Sequence, residues 1–455
     1  MESGVTRRDV LRNLVRSGGL SIVIRACNGI LAYLMLLAVA RSSSTAEYGI
    51  FAVALSVGLT IATISEFGKS QTVMRFWPQW MGQNEPLKAR AVLRQSLIWL
   101  ACSLGVSALL LLAAGALGET VQIPWSLELA AATALLVLAY GWGDFSSAGL
   151  RAQGYVVVAL APRDILWRLA ACLFFGWAAL NRKSFDAETI MLVIAGILVV
   201  IVTPQALWLL RSATVKTSVL PADDRRTVLR FSLTVWATTS LQWLIDYGGV
   251  VIVSAYLGAE AAGGYFTAVR TAYLLSFFLL SIGMIMAPQI SRHYHSDRKD
   301  LVEIIVGITG LVAGTTALAG IFFFFFFGDR ILSLFNPEYG ASFFPVLLII
   351  SVSQFFSAVS GPVAMMLTMS GHQQVNFVVG VSVGSAGIVL QLVGGYYYGA
   401  IGVATATAAA AIVTGIIKLV YVWRVLGIDP TGVSVTGMAL GRLRAALRKR
   451  RRASE

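Results

Sequence analysis

Apolar residues in this chain are gathered into runs of about 20, the length an α-helix needs to cross a ~30 Å hydrocarbon layer. Twelve runs are read, at 20–40, 48–67, 92–116, 126–148, 156–180, 187–210, 231–257, 263–289, 301–327, 343–369, 375–398 and 400–424. The junction of the last two, YYYGAIG, leaves almost no loop. The prediction is an all-α polytopic membrane protein with twelve transmembrane helices.

The runs also repeat. AEYGIFAVA (46–54) opens the second and AAGGYFTAV (261–269) opens the eighth, while TVMRFWPQW (72–80) and IMAPQISRHY (285–294) close the corresponding pairs. GLRAQGY (149–155) and TMSGHQQ (368–374) stand at a similar offset. Two six-helix bundles, 20–211 and 230–425, with a cytoplasmic linker at 212–229, account for this spacing. An even number of spans per half makes the halves parallel repeats, an arrangement many alternating-access transporters use.

Composition excludes a soluble fold, since 57% of the 455 residues are hydrophobic and only 13% charged. The net charge of +13 means little until it is placed along the chain. With both termini cytoplasmic, 27 of the 35 Lys and Arg residues fall in inner segments and four (Arg41, Arg182, Lys183, Arg330) in outer loops. That bias is the positive-inside rule at work. The basic segment 1–19 then reads as an amphipathic helix on the membrane surface, although TRRDVLR (6–12) has a twin-arginine look. In the tail 426–455, RLRAALRKRRR (442–452) reads as a patch for anionic inner-leaflet lipids rather than a nucleic-acid arm. Cys27, Cys102 and Cys172 lie inside apolar runs without metal spacing, so no disulfide, metal or cofactor is expected.

Short motifs add little. GKS (68–70) follows an apolar helix and lacks the first glycine of a phosphate loop. GVSVG (380–384) lies within a span, where Gly380 and Gly384 read as helix-packing positions rather than a nucleophile elbow. His293 and His295 have no third ligand nearby, and the phenylalanines of 322–327 read as an interfacial or lipid-facing stripe.

The charges inside the spans are more informative, because an ionisable group there costs roughly 2.5–3.5 kcal/mol on insertion scales. Asp164 and Arg168, four apart on one helix, are expected to neutralise each other, and Lys418 to snorkel to the inner surface. Arg25 and Arg270 have no acid one turn away on their own helices. At ~1.5 Å per residue, Arg25 lies near the level of Glu66 and Asp144, and Arg270 near that of Asp246. Two accounts stand: buried ion pairs Arg25–Glu66 and Arg270–Asp246, or a substrate site that these four residues build.

The ordered set AEYGIFAVALSVG, VMRFWPQW, LRAQG, IDYGGVVIVSAYLGAEAAGGYFTAVR, APQISRHY and GAIGVATATA resembles the bacterial polysaccharide flippases of the multidrug/oligosaccharidyl-lipid/polysaccharide exporter superfamily. The resemblance implies two bundles around a central cationic cavity, with Arg25 and Arg270 lining it. It implies translocation of polyprenyl-pyrophosphate-linked oligosaccharide units across the bacterial inner membrane, and no enzymatic chemistry. A pyrophosphate cannot enter low-dielectric surroundings uncompensated, and arginine grips phosphate with paired hydrogen bonds. A polysaccharide polymerase complex is a further partner left open. An ion-coupled drug or cation antiporter of the same superfamily would instead use Asp246 and Glu66. A membrane glycosyltransferase or ligase would need acid/base groups at the outer face, where the loops are short and lack histidine.

Overall fold

The computed structural model describes residues 27–121, 125–213, 220–275, 299–370 and 372–428, together with Ile24, Ile290 and Tyr294, and every described element is a helix. In chain order these are α1 (Cys27–Arg41), α2 (Thr45–Ser65), α3 (Lys69–Gly82), α4 (Pro86–Val121), α5 (Leu127–Ala152), α6 (Val156–Leu160), α7 (Trp167–Leu180) and α8 (Ala187–Ala213). They continue with α9 (Ala222–Leu257), α10 (Ala259–Tyr273), α11 (Lys299–Ser333), α12 (Pro337–Met369) and α13 (Gln373–Tyr421). Among the described residues eight helices are long and apolar enough to cross a membrane. Of the expected run 263–289, only the part within α10 and its C-terminal end, up to Leu275, is described.

Local chemistry sets the boundaries. Ser44, Ser126 and Asn336 cap α2, α5 and α12 by accepting from Glu47, Leu129 and Glu338 backbone N–H groups at 3.3, 3.1 and 2.9 Å. A left-handed Gly68 (φ +66°) turns the chain from α2 into α3. Between α6 and α7 the helix widens to a π-turn, Ala161–Leu166, in which Pro162 has no N–H to give to a regular ladder.

The tight junction expected near residue 399 is present. Gly399 takes φ +59° and ψ −142°, and α13 folds back on itself there. A Cβ on Gly402 would strike the Gly394 carbonyl, and Gln391 Nε2 donates to Thr407 Oγ1 at 2.8 Å, so the two arms run antiparallel. In GVSVG, Gly384 packs against Leu241 and Ile245 of α9 as expected. Gly380 does not, because it faces open space. Phe324 is buried, while Phe322, Phe323, Phe325, Phe326 and Phe327 are exposed along α11, as a lipid-facing stripe requires.

In the first half α5 packs on α2, α4 and α8; in the second, α13 packs on α9 and α12, and α12 on α11. The halves meet where α2 crosses α9 and α10. This places the segments AEYGIFAVA (46–54) and AAGGYFTAV (261–269) against each other. A Cβ on Gly263 would come within 3.1 Å of Gly49 Cα, and one on Gly49 would collide with the Ala259 carbonyl. Loops expected outside gather at this end: Phe185 N donates to Ser42 O at 2.9 Å, Ala187 N to Glu47 Oε2 at 2.7 Å, Asn336 Nδ2 to Thr45 Oγ1 at 2.6 Å and Arg41 Nε to Leu334 O at 2.5 Å. At the opposite end Ser232 Oγ donates to Phe67 O, Trp236 Nε1 to Ile64 O, and Lys88 pairs with Asp224 at 3.0 Å.

Candidate functional site

Beneath the Gly49–Gly263 crossing, α1, α2, α5, α7, α9 and α10 enclose a cavity of about 290 Å³. Aromatic side chains lie between it and the end where residues 41–45 and 334–336 meet: Tyr33 lies edge-on to Phe335 at 5.3 Å, and Tyr48, 1% exposed, packs on Phe335 and Tyr339. The Tyr33 and Tyr48 hydroxyls are hydrogen-bonded to Thr271 and Thr267 of α10 at 3.1 and 3.2 Å.

Two arginines, one from each half of the chain, line this cavity. Arg270 of α10 lies over the Tyr247 ring at 3.8 Å, with Phe266 and Tyr273 at 5.1 and 5.5 Å. Arg168 of α7 lies over Trp167 at 4.4 Å and gives Nη1 to the Arg163 and Asp164 carbonyls at 3.2 Å. Ring faces stabilise a cation without using its N–H groups. Arg270 Nε and Nη2, Arg168 Nε and, on the same wall, Asn28 Oδ1 are buried and have no hydrogen-bond partner among the described residues. Several kcal/mol is the usual cost of desolvating a charge that lacks a hydrogen-bonded partner.

A family model described as polysaccharide biosynthesis protein matches residues 14–294, more than half of the chain. The chain belongs to this family. No curated protein matches it. Among solved structures, an inward-facing multidrug resistance MATE family transporter of the MOP superfamily aligns at TM-score 0.68 and 13% identity over 88% of this chain and 97% of that one. The lipid II flippase MurJ in an inward closed conformation aligns at 0.60 and 14%, over 89% and 87%. A MOP superfamily transporter from Pyrococcus furiosus, described as having a binding pocket of reverse polarity that suggests a different function, aligns at 0.62 and 17%, over 90% and 94%. At these identities what is shared is the fold.

Within this member of the polysaccharide biosynthesis family, the four residues singled out from sequence do not share one cavity. Arg270 lines the central one. Asp246 makes no ion pair with it; its Oδ1 accepts from the Tyr273 hydroxyl at 2.9 Å and from Gln242 Nε2 at 3.1 Å. The Tyr273 ring borders Arg270, and its hydroxyl holds Asp246 on the wall of a second cavity of about 530 Å³. Glu66, buried and accepting from Ser70 Oγ at 2.7 Å, lines a third cavity of about 260 Å³ with Asp144 and Arg163. Arg25 lies outside the described residues, as does its expected pairing with Glu66. Lys418 lines the second cavity.

Arg168 is the residue the sequence reading misplaced. Asp164 does not neutralise it, because Asp164 pairs with Arg163 at 2.9 Å, and Arg163 also pairs with Asp144. The π-turn alters the angular step between positions 164 and 168, so four-residue spacing no longer brings the side chains together. Pro162, inside an apolar run, was the available signal. Among the described residues no three His, Cys, Asp or Glu side chains cluster to hold a metal ion.

Proposed function

We propose that the chain carries polyprenyl-pyrophosphate-linked oligosaccharide units across the bacterial inner membrane, with Arg168 and Arg270 holding the pyrophosphate. One observation carries the reading: two arginines from opposite halves, each with N–H groups unpartnered among the described residues, line a single aromatic-walled cavity. Held between the halves, a doubly charged headgroup would be handed from one set of contacts to the other as the halves rock. Arg25, at the start of the first span, is proposed as an additional phosphate ligand on the cytoplasmic side. Glu66 and Asp246 are proposed to assist from the flanking cavities, balancing the field of the arginines while the site is empty. The lipid tail stays in the bilayer, and the architecture is proposed as twelve spans in two six-helix bundles with both termini cytoplasmic.

The family membership supports work in polysaccharide synthesis, and the flippase among the structural neighbours supports a lipid-linked substrate. The multidrug transporters sharing the fold raise an organic-cation substrate as the rival. Against it, the described wall of the central cavity carries two cations and no carboxylate.

Deleting the gene should make lipid-linked glycan accumulate on the cytoplasmic leaflet. At matched membrane levels, Arg168→Gln and Arg270→Gln should each lower glycan export about tenfold or more, the loss of one charge-assisted bond. Wild-type export by both variants would refute the pyrophosphate site.

A further inference from the structure

The second cavity is nearly twice the volume of the central one and, among the described residues, shares only Tyr273 with its lining. It lies inside the second half, between α9, α12 and both arms of α13, and its wall sets hydroxyl and amide side chains among apolar surface from residues such as Ile245, Ala410 and Ala411. Ser353 and Ser360 donate to Ile350 O and Phe356 O at 2.7 and 2.8 Å, and Thr238 to Thr234 O at 3.1 Å. A hydroxyl whose proton is bound to its own helix keeps its lone pairs for an incoming donor. Asp246 adds a carboxylate whose two hydrogen bonds both fall on Oδ1.

Such a wall carries acceptors, amide groups from Gln242, Gln354 and Asn376, and one side chain of each charge, Asp246 and Lys418. Sugars, whose hydroxyls both donate and accept and whose rings present apolar C–H faces, fit such a mixed wall. The third cavity is a poorer match, because charge crowds its wall: Arg163 pairs with Asp144, and Glu66 and Arg151 line it beside them. Tyr273 lines both the central and the second cavity. A sugar attached to a phosphate at Arg270 therefore has a polar chamber on the far side of one ring.

We propose that the second cavity is the glycan compartment, taking neutral sugar residues of the lipid-linked unit whose pyrophosphate is held at Arg168 and Arg270. It rests on the proposed function above, and the two can fail separately.

Gly380 lines this cavity, and a Cβ there would meet nothing within 4 Å, so Gly380→Leu directs added bulk into the chamber from an unhindered backbone position. Binding to purified protein in nanodiscs can be read by native mass spectrometry with two probes. One is undecaprenyl pyrophosphate; the other is the pool of undecaprenyl-pyrophosphate-linked oligosaccharides extracted from the bacterium encoding the chain. Wild type should bind both. Gly380→Leu should keep its affinity for the sugar-free lipid and lose about tenfold or more for the glycan-bearing pool. Ser357→Ala combined with Thr414→Val, which adds no bulk, should shift the same ratio in the same direction and carries the test if the leucine variant does not fold. Unchanged glycan binding, an equal loss for both probes, or a cavity whose filling abolishes only a sodium-dependent thermal shift would overturn the compartment. Failure of wild type to bind the sugar-free lipid would instead overturn the pyrophosphate site beneath it.

Discussion

Arg163 is held by two carboxylates, Asp144 and Asp164, at a half-buried position where water screens only part of each charge. Removing the cation leaves two acids facing each other. Arg163→Gln should therefore lower thermal stability in detergent, by about 2–4 kcal/mol after allowing for partial exposure. Arg163→Gln with Asp144→Asn and Asp164→Asn should recover most of that loss; a triple variant no more stable than the single would show that packing, not charge, is at stake. Tyr273→Phe removes the hydroxyl that fixes Asp246, an effect of about 1–3 kcal/mol for a buried acceptor. Arg270, which the hydroxyl does not touch, should keep its affinity for undecaprenyl pyrophosphate in that variant. Of these residues Arg270 and Asp246 were legible from sequence as unpaired charges inside apolar runs. Arg168 was not, because an acid four residues earlier masks it under regular helical geometry. The aromatic rings that hold both arginines were not legible either, since tyrosines in a span carry no label saying which face they share.

Pro162 ties the course of a helix to the chemistry of the cavity. The π-turn it accompanies sets the direction from which Arg168 enters. Pro162→Ala should let 156–180 relax toward a regular helix, swinging Arg168 off its present wall. We expect transport to fall well below wild type while thermal stability is unchanged or higher, because a helix-interior proline costs up to about 3 kcal/mol. Wild-type export at wild-type stability would separate the turn from the site. The Gly49–Gly263 crossing governs the outer seal in a similar way. Gly49→Val would drive branched carbons into the Ala259 backbone, where overpacking typically costs about 1–3 kcal/mol. A cysteine replacing Tyr48 should accordingly become reactive to an impermeant outer-face reagent in that background and stay protected without it. Long apolar runs made most helices readable in advance. The π-turn and α3 were not, since each depends on a local break that average hydropathy smooths over.

Charge along the chain and the contacts between loops sort these segments into the same two sets. Residues 41–45, 185–187 and 334–336 meet at one end, and the segments around Phe67, Lys88 and Asp224 meet at the other. Reporter fusions after residues 44, 184, 260 and 335 should agree with one another and oppose fusions after 85 and 220. Opposite signals within either set would break the parallel-repeat arrangement. The turn at Gly399 bears on how such a chain is made. Between its two arms α13 offers no hydrophilic loop, and Gln391 of the first arm finds its hydroxyl partner, Thr407, only on the second. Released into lipid alone, the first arm would carry an amide with nothing to bond. A chain ended at residue 399 should be extracted and degraded, whereas one ended at 428 should accumulate. Biogenesis would then treat these two crossings as a single insertion event, with the membrane accepting the pair only after the last apolar stretch has left the ribosome.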